Sequence, residues 1–292
     1  MKDLRFEQLG SSYNYALSQI FSTSLSSKIH SCNDEQKIRS LMTDCDLYPA
    51  NEEWDLIKGL EIAYNYLKKY YRCEYIYKNE IANQILLQFH NDNSATLLRE
   101  VSSDASIADI VIINGNTTAY EIKTELDSFE RLSNQMNSYK SIYDQLYIVT
   151  HPGALKNVNN RIHGDVGIII FDHDGILKLE RQAQVQKNEF NPRKAVLTLR
   201  QSELMSAYQQ YVGKLPKMGT ALIYNFCYQW YVGLDSVDAH IIFAQALKSR
   251  RPSAHQFELI KKCIPALKMI FLSKEYSKKY CLTTMDKLCI FG

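Results

Sequence analysis

A chain of 292 residues can hold one large domain or two modest ones, and its 46% hydrophobic and 23% charged content argues against extensive disorder. The net charge of +2 hides an asymmetry: residues 1–180 carry 17 Lys and Arg against 25 Asp and Glu, whereas residues 181–292 carry 17 against 7. Seven cysteines without a C-x-x-C pair argue against a disulfide framework or zinc ribbon, and no window approaches the roughly 18 apolar residues of a membrane span, so a cytoplasmic protein with reduced thiols and no membrane partner is expected.

Residues 1–33 are rich in Ser, Asn and Tyr with weak patterning, which predicts partial order. A short helix is expected over 34–45, ending before Pro49. Asn51 reads as the N-cap of a long helix carrying Trp54, Ile57, Leu60, Ala63, Tyr64 and Leu67. A second helix over 75–89 offers Ile76, Ile81, Ile85 and Leu86 for packing. Strands follow near 96–102, 107–113, 117–123 and 145–150, with a helix over 128–143 between the last two. A further extended pair near 166–171 and 176–179 turns at Asp172-His173-Asp174-Gly175. This tetrapeptide resembles a calcium loop, but Ala183 stands where the bidentate Glu belongs, so it reads as a hairpin turn. Beyond Asn191 the pattern is helical, over 201–212, 218–232, 236–249 and 255–271, with Pro265 expected to interrupt the last. These signals divide the chain into a helical N-terminal region (1–70), a core (71–185) and a basic helical C-terminal region (190–292).

The chemistry concentrates between Ser106 and Thr150. Strand side chains alternate faces, so Glu121 and Lys123 share one face while Ile122 points to the other. Whether Asp109 joins them depends on the turn at Asn114-Gly115-Asn116. A two-residue loop sets Asp109 opposite Tyr120; a three-residue loop sets it opposite Glu121. The three-residue form needs a left-handed residue near its end, which Asn116 tolerates, and it is the form expected here. Two directly opposed acids destabilise a hairpin, and a divalent cation between them removes the penalty. Taken singly, each residue has a plain alternative: Asp109 an exposed strand start, Glu121 and Lys123 a salt bridge, Glu80 a solvated helix carboxylate. Gln135 lies one turn before Tyr139 within a stripe formed by Leu132, Met136, Tyr139 and Tyr143, and needs a partner there.

The series Glu80, Asp109, Glu121-x-Lys123 and Gln135-x-x-x-Tyr139 resembles the PD-(D/E)XK nuclease superfamily, the restriction-endonuclease-like fold. The stretch EIKTELDSFERLSNQMNSY is similar to an uncharacterised bacterial branch in which ExK is followed by an acid, here Asp127, then RLxxQxxxY, here Arg131, Leu132, Gln135 and Tyr139. The likeness covers residues 75–180, with Ala108 in place of the motif's proline. It implies an α/β fold with a central mixed sheet flanked by helices. It also implies Mg²⁺- or Mn²⁺-dependent hydrolysis of DNA, with RNA as the alternative substrate. Asp109, Glu121 and the Ile122 carbonyl would hold the metal, with Glu80 adding a ligand through water or holding a second ion. Lys123 would orient or help deprotonate the attacking water, and Gln135 would position Lys123 or the phosphate. Arg131 and Thr124 would touch substrate, and Tyr139 would either touch it or serve the structure alone.

The basic C-terminal region, with Lys248, Arg250, Arg251, Lys261, Lys262, Lys274, Lys278 and Lys279 near Tyr276 and Tyr280, reads either as a surface that tracks a nucleic-acid backbone or as a solvated face. Two rival functions follow: a non-catalytic nucleic-acid-binding or regulatory module of a defence or mobile-element complex, or a subunit whose helical C-terminal region binds protein or a second copy of the chain. No P-loop or nucleophile elbow is present in the sequence, so NTP or ester hydrolysis is not expected.

Overall fold

The computed structural model describes residues 8–87, 94–185 and 190–288. Six strands, β1 (Thr96–Ser103), β2 (Ser106–Ile113), β3 (Thr117–Lys123), β4 (Gln145–Thr150), β5 (Gly167–Phe171) and β6 (Leu177–Arg181), form one sheet in sequential order. The pairs β1–β2, β2–β3 and β5–β6 are antiparallel, while β3–β4 and β4–β5 are parallel. Parallel neighbours need crossovers. The helix α6 (Leu132–Lys140) makes the first; α7 (Leu155–Asn159) lies in the second. The fold is therefore α/β, a mixed sheet flanked by helices.

Both faces of the sheet are covered, which is why β2, β4 and β5 read as near-continuous apolar runs. Ile110, Ile112, Tyr120, Ile122, Tyr147, Val149, Ile169 and Phe171 enter one core. They meet helices α1 (Ser11–Ser18), α3 (Cys32–Asp44), α4 (Leu56–Tyr70) and α5 (Glu74–Ile81). The alternate residues Val111, Ile113, Ala119, Ile148, Ile168 and Ile170 enter a second core, with α6 and α7.

Three expectations need revision. The N-cap of α4 is Asp55, whose Oδ1 accepts from the N–H groups of Ile57 and Lys58, so Asn51 lies before the helix. Trp54 precedes it too: its ring lies against Gly59, where a Cβ would come within 2.3 Å, and its Nε1 donates to Glu35. Within 1–33, the described residues are packed: Leu17, Ile20, Phe21, Leu25 (in the short α2, Leu25–Lys28) and Ile29 are core residues. The sequence hides this because their spacing spans three short elements with no single period. The helix expected over 75–89 is α5 continued by a π-turn over Ala82–Leu86, and its last expected residues, 88 and 89, lie outside the described residues.

The C-terminal segment divides between the two faces. Helices α8 (Pro192–Ala195), α9 (Gln201–Tyr211), α10 (Thr220–Val232) and α11 (Ser236–Lys248) pack on the α6 side. Beyond them, α12 (Ala254–Lys262), α13 (Lys268–Leu272) and α14 (Lys278–Lys287) cross to the α4–α5 side, with Pro265 in the break between α12 and α13. The change in charge sign thus does not mark a separate core. Among the described residues, no helix is long and apolar enough to cross a membrane.

Candidate functional site

The β2–β3 hairpin sets the geometry. Ile113 pairs with Thr117, so three residues form the loop, and Gly115 rather than Asn116 takes the positive φ, at 107°. Glycine has no Cβ to clash there, so it absorbs the strain that the expectation had put on Asn116. The ladder ends at Ile110 opposite Tyr120. One residue further, Asp109 turns its carboxylate across the hairpin, and Oδ2 accepts from the Ile122 N–H at 2.7 Å.

Glu121 is buried, with 2% of its surface exposed. Lys123 Nζ lies 3.1 Å from its Oε1, which also accepts from Gln135 Nε2. The Tyr139 hydroxyl is 2.9 Å from Oε2 and 2.6 Å from the Ile107 carbonyl. Helix α6 therefore delivers Gln135 and Tyr139, one turn apart, to the carboxylate presented by β3. Among the described residues, Gln135 Oε1 is buried without a hydrogen-bond partner. Burial, then the Glu121 charge, pushes the Asp109 carboxyl up to about 7, against the pull of the Ile122 N–H and Lys78. Burial likewise raises Glu121, offset in part by Lys123, Tyr139 and Gln135. Two neighbouring acids that both resist ionisation form an electrostatic deficit which a cation would relieve.

The other expected site residues lie elsewhere. Glu80 is on the opposite face, beside Lys68 (3.1 Å), the Tyr64 hydroxyl (2.6 Å) and Gln84. It lines a cavity there with Tyr120 and Tyr147, so it does not meet Asp109 or Glu121. Ile122 sends its side chain into that same opposite core, and its N–H, not its carbonyl, is the group tied to Asp109. Thr124 is held in a turn, its N–H and Oγ1 both donating to Asp127 Oδ2, at 2.8 and 2.7 Å. Arg131 is exposed at the N-cap of α6. Among the described residues, no group of three or more His, Cys, Asp or Glu side chains is arranged to hold a metal.

Sequence reasoning passed over Glu74, Lys78 and Glu100. Lys78 Nζ pairs with Glu74 and lies 3.2 Å from Glu100. Glu100 adopts φ 51° where the β1–β2 ladder skips between Arg99↔Ile110 and Val101↔Ala108, opposite Asp109. Burial lowers the Lys78 pKa, but the charges of Glu74, Asp109 and Glu100 outweigh it and raise the net value. The i,i+4 spacing of Glu74 and Lys78 was readable on a helix; the backbone of Glu100 gave no signal. In the basic C-terminal segment, Arg250 is a structural clamp, bonded through Nε and Nη2 to Glu203 and to the Thr198 carbonyl. Lys274 lies 5.3 Å from the Tyr276 ring, which stacks on Tyr280 at 4.6 Å.

Comparison with known proteins gives one family and one relative. Protein cII of Enterobacteria phage P4 is 36% identical over 81 residues, which are 27% of this chain and 31% of the phage protein. The match thus spans less than a third of that relative. Among solved structures, the SPO1766 protein of unknown function from Silicibacter pomeroyi is 13% identical, over 41% of this chain and 77% of its own, with a TM-score of 0.31. That likeness is too low to inform the fold. The family described as Bacteriophage P4 protein cII matches residues 68–278, from α4 through the start of α14 and including the whole sheet, and the chain belongs to that family.

Proposed function

We propose that the sheet with its β2–β3 hairpin is a restriction-endonuclease-like, PD-(D/E)XK core, and that the protein is a divalent-metal-dependent nuclease acting on DNA. The observation that carries this reading is the meeting of Asp109, Glu121 and Lys123 beside one hairpin, with Gln135 and Tyr139 fixing Glu121. Two carboxylates and the unpartnered amide oxygen of Gln135 form a hard-oxygen set suited to Mg²⁺ or Mn²⁺. When bound, such an ion lowers the pKa of water and offsets charge on the scissile phosphate.

The chain's own residues do the rest. Asp109 and Glu121 supply the negative charge that holds the cation. Lys123 keeps its ammonium 3.1 Å from Glu121 in a buried setting, where it can donate to the attacking water and orient it. Gln135 positions Glu121 through Nε2 and leaves Oε1 for the cation. Tyr139 fixes the second carboxylate oxygen, and the exposed Arg131, one turn before Gln135 at the start of α6, is a phosphate contact. Thr124, already committed to Asp127, is the weakest substrate contact of the set, and Glu80 has no part in it.

The test is incubation with single- and double-stranded DNA and RNA in Mg²⁺, Mn²⁺ or EDTA, beside a Lys123→Ala control. Cleavage that needs the cation and is lost in the variant is the expected result. Salt-sensitive binding without cleavage of any substrate would instead assign a nucleic-acid-binding module.

A further inference from the structure

Helix α10 joins two properties that rarely coexist on a protein surface. The run from Met218 to Leu234 contains no Lys, Arg, Asp, Glu or His, in a chain with 23% charged residues. A helix that is uncharged all round normally lies inside a protein. Yet among its described side chains Cys227 and Tyr231 are the fully buried ones, while Leu222 is 64% and Phe226 38% exposed. Leu222 and Phe226 stand one turn apart on one side of the helix, and Met218, also exposed, lies just before its start. Tyr208 of α9 meets Phe226 edge-on at 5.2 Å, and the exposed Val212 lies one turn beyond it. Contiguous exposed apolar surface of this kind marks a contact site.

We propose that α10 is the surface through which two copies of this chain associate, in an antiparallel two-fold contact. In such a contact every group meets the same patch of its partner, so a charged face would repel itself while the neutral face of α10 does not. The flanks supply complementarity. Lys214 and Lys217 are exposed before the helix, and Asp235 and Asp238 are exposed after it. Antiparallel pairing sets the lysines of one copy against the aspartates of the other, whereas parallel pairing sets like against like. This surface is independent of the proposed nuclease chemistry.

Sedimentation velocity of the full chain from about 1 to 200 µM tests it. A concentration-dependent dimer is expected, and Leu222→Glu with Phe226→Glu should weaken it by at least about 30-fold, since central apolar contacts dominate such interfaces. Both residues are exposed, so circular dichroism should be unchanged in the variant. Lys217→Glu should weaken the dimer, and adding Asp238→Lys should restore it. A monomer at every concentration, a dimer indifferent to the α10 variants, or a charge swap that fails to restore pairing would each overturn the proposal, including the case where a monomer captures a different protein through the same face.

Discussion

The two faces of the sheet carry nearly the same polar kit. On one, Glu121 is held by Lys123, Gln135 and Tyr139. On the other, Glu80 is held by Lys68, Gln84 and Tyr64. Both carboxylates are almost wholly buried and both lysines stand 3.1 Å away. The difference is what stands next to them. Glu121 neighbours a second acid, Asp109, on the paired strand. Glu80 joins pieces of the scaffold: Tyr64 belongs to α4, and Gln84 also donates to the Gly175 carbonyl and accepts from the Leu177 N–H at the β5–β6 turn. A Glu-Lys-Gln-Tyr cluster is therefore not chemistry by itself; in the function proposed above, the adjacent carboxylate is what separates a cation site from a fastening.

Substitutions on each face should break this comparison or sharpen it. The largest effect is expected from Glu121→Gln or Lys123→Ala, each lowering cleavage by about a thousandfold or more while the far-ultraviolet spectrum is retained. Glu80→Gln should change cleavage by less than about threefold. Equal losses of activity in the two glutamine variants would erase the distinction.

Next comes Lys68→Met, which strands a buried carboxylate. Removing one partner of a buried pair costs about 3–5 kcal/mol, reduced here to about 2 kcal/mol because Lys68 keeps some solvent contact. Chemical denaturation would read this loss, and an unchanged midpoint would mean the Glu80 cluster fastens nothing. A similar loss of about 1–3 kcal/mol is expected from Gly167→Ala, because a Cβ there would meet the Tyr147 ring at 2.3 Å and the Ala183 nitrogen at 2.8 Å.

The smallest effect is the most diagnostic of the acid pair. Asp109 has a folded-state pKa pushed up to about 7 from 3.8, so the folded protein holds its proton more tightly than the unfolded chain. Stability should then fall as pH rises from about 4 to about 7 and level off above. Asp109→Asn should flatten that slope, leaving the share that burial of Glu121 contributes, and exceed the parent in stability at pH 8 by about 1–2 kcal/mol in metal-free buffer, with little difference at pH 4. Thermal melts at the two pH values check it, and a parent that gains stability across this window would contradict the burial of two charges together.

How much of this was legible in the sequence follows the kind of signal involved. The strands were readable because their apolar runs are bounded by turn residues, and the three-residue hairpin loop followed from Asn-Gly-Asn. That register carries the ladder to Ile110 opposite Tyr120, and Asp109, just beyond it, reaches Glu121's strand through the Ile122 N–H rather than as a ladder pair. Gln135 and Tyr139 were readable from helical spacing. Glu80 was misplaced because helix periodicity fixes which residues share a face but not which side of the sheet the helix covers. Asn51 was mistaken for a cap because Asp55, four residues on, offers the same chemistry. The division of the C-terminal helices between two cores depends on contacts distant in sequence, which composition does not record.

The most direct test of the central claim is Mn²⁺ titration followed by electron paramagnetic resonance in the parent, Asp109→Asn and Glu80→Gln. The account predicts a bound ion in the parent, lost in Asp109→Asn and kept in Glu80→Gln. An ion retained without Asp109, or lost equally in both variants, would contradict it.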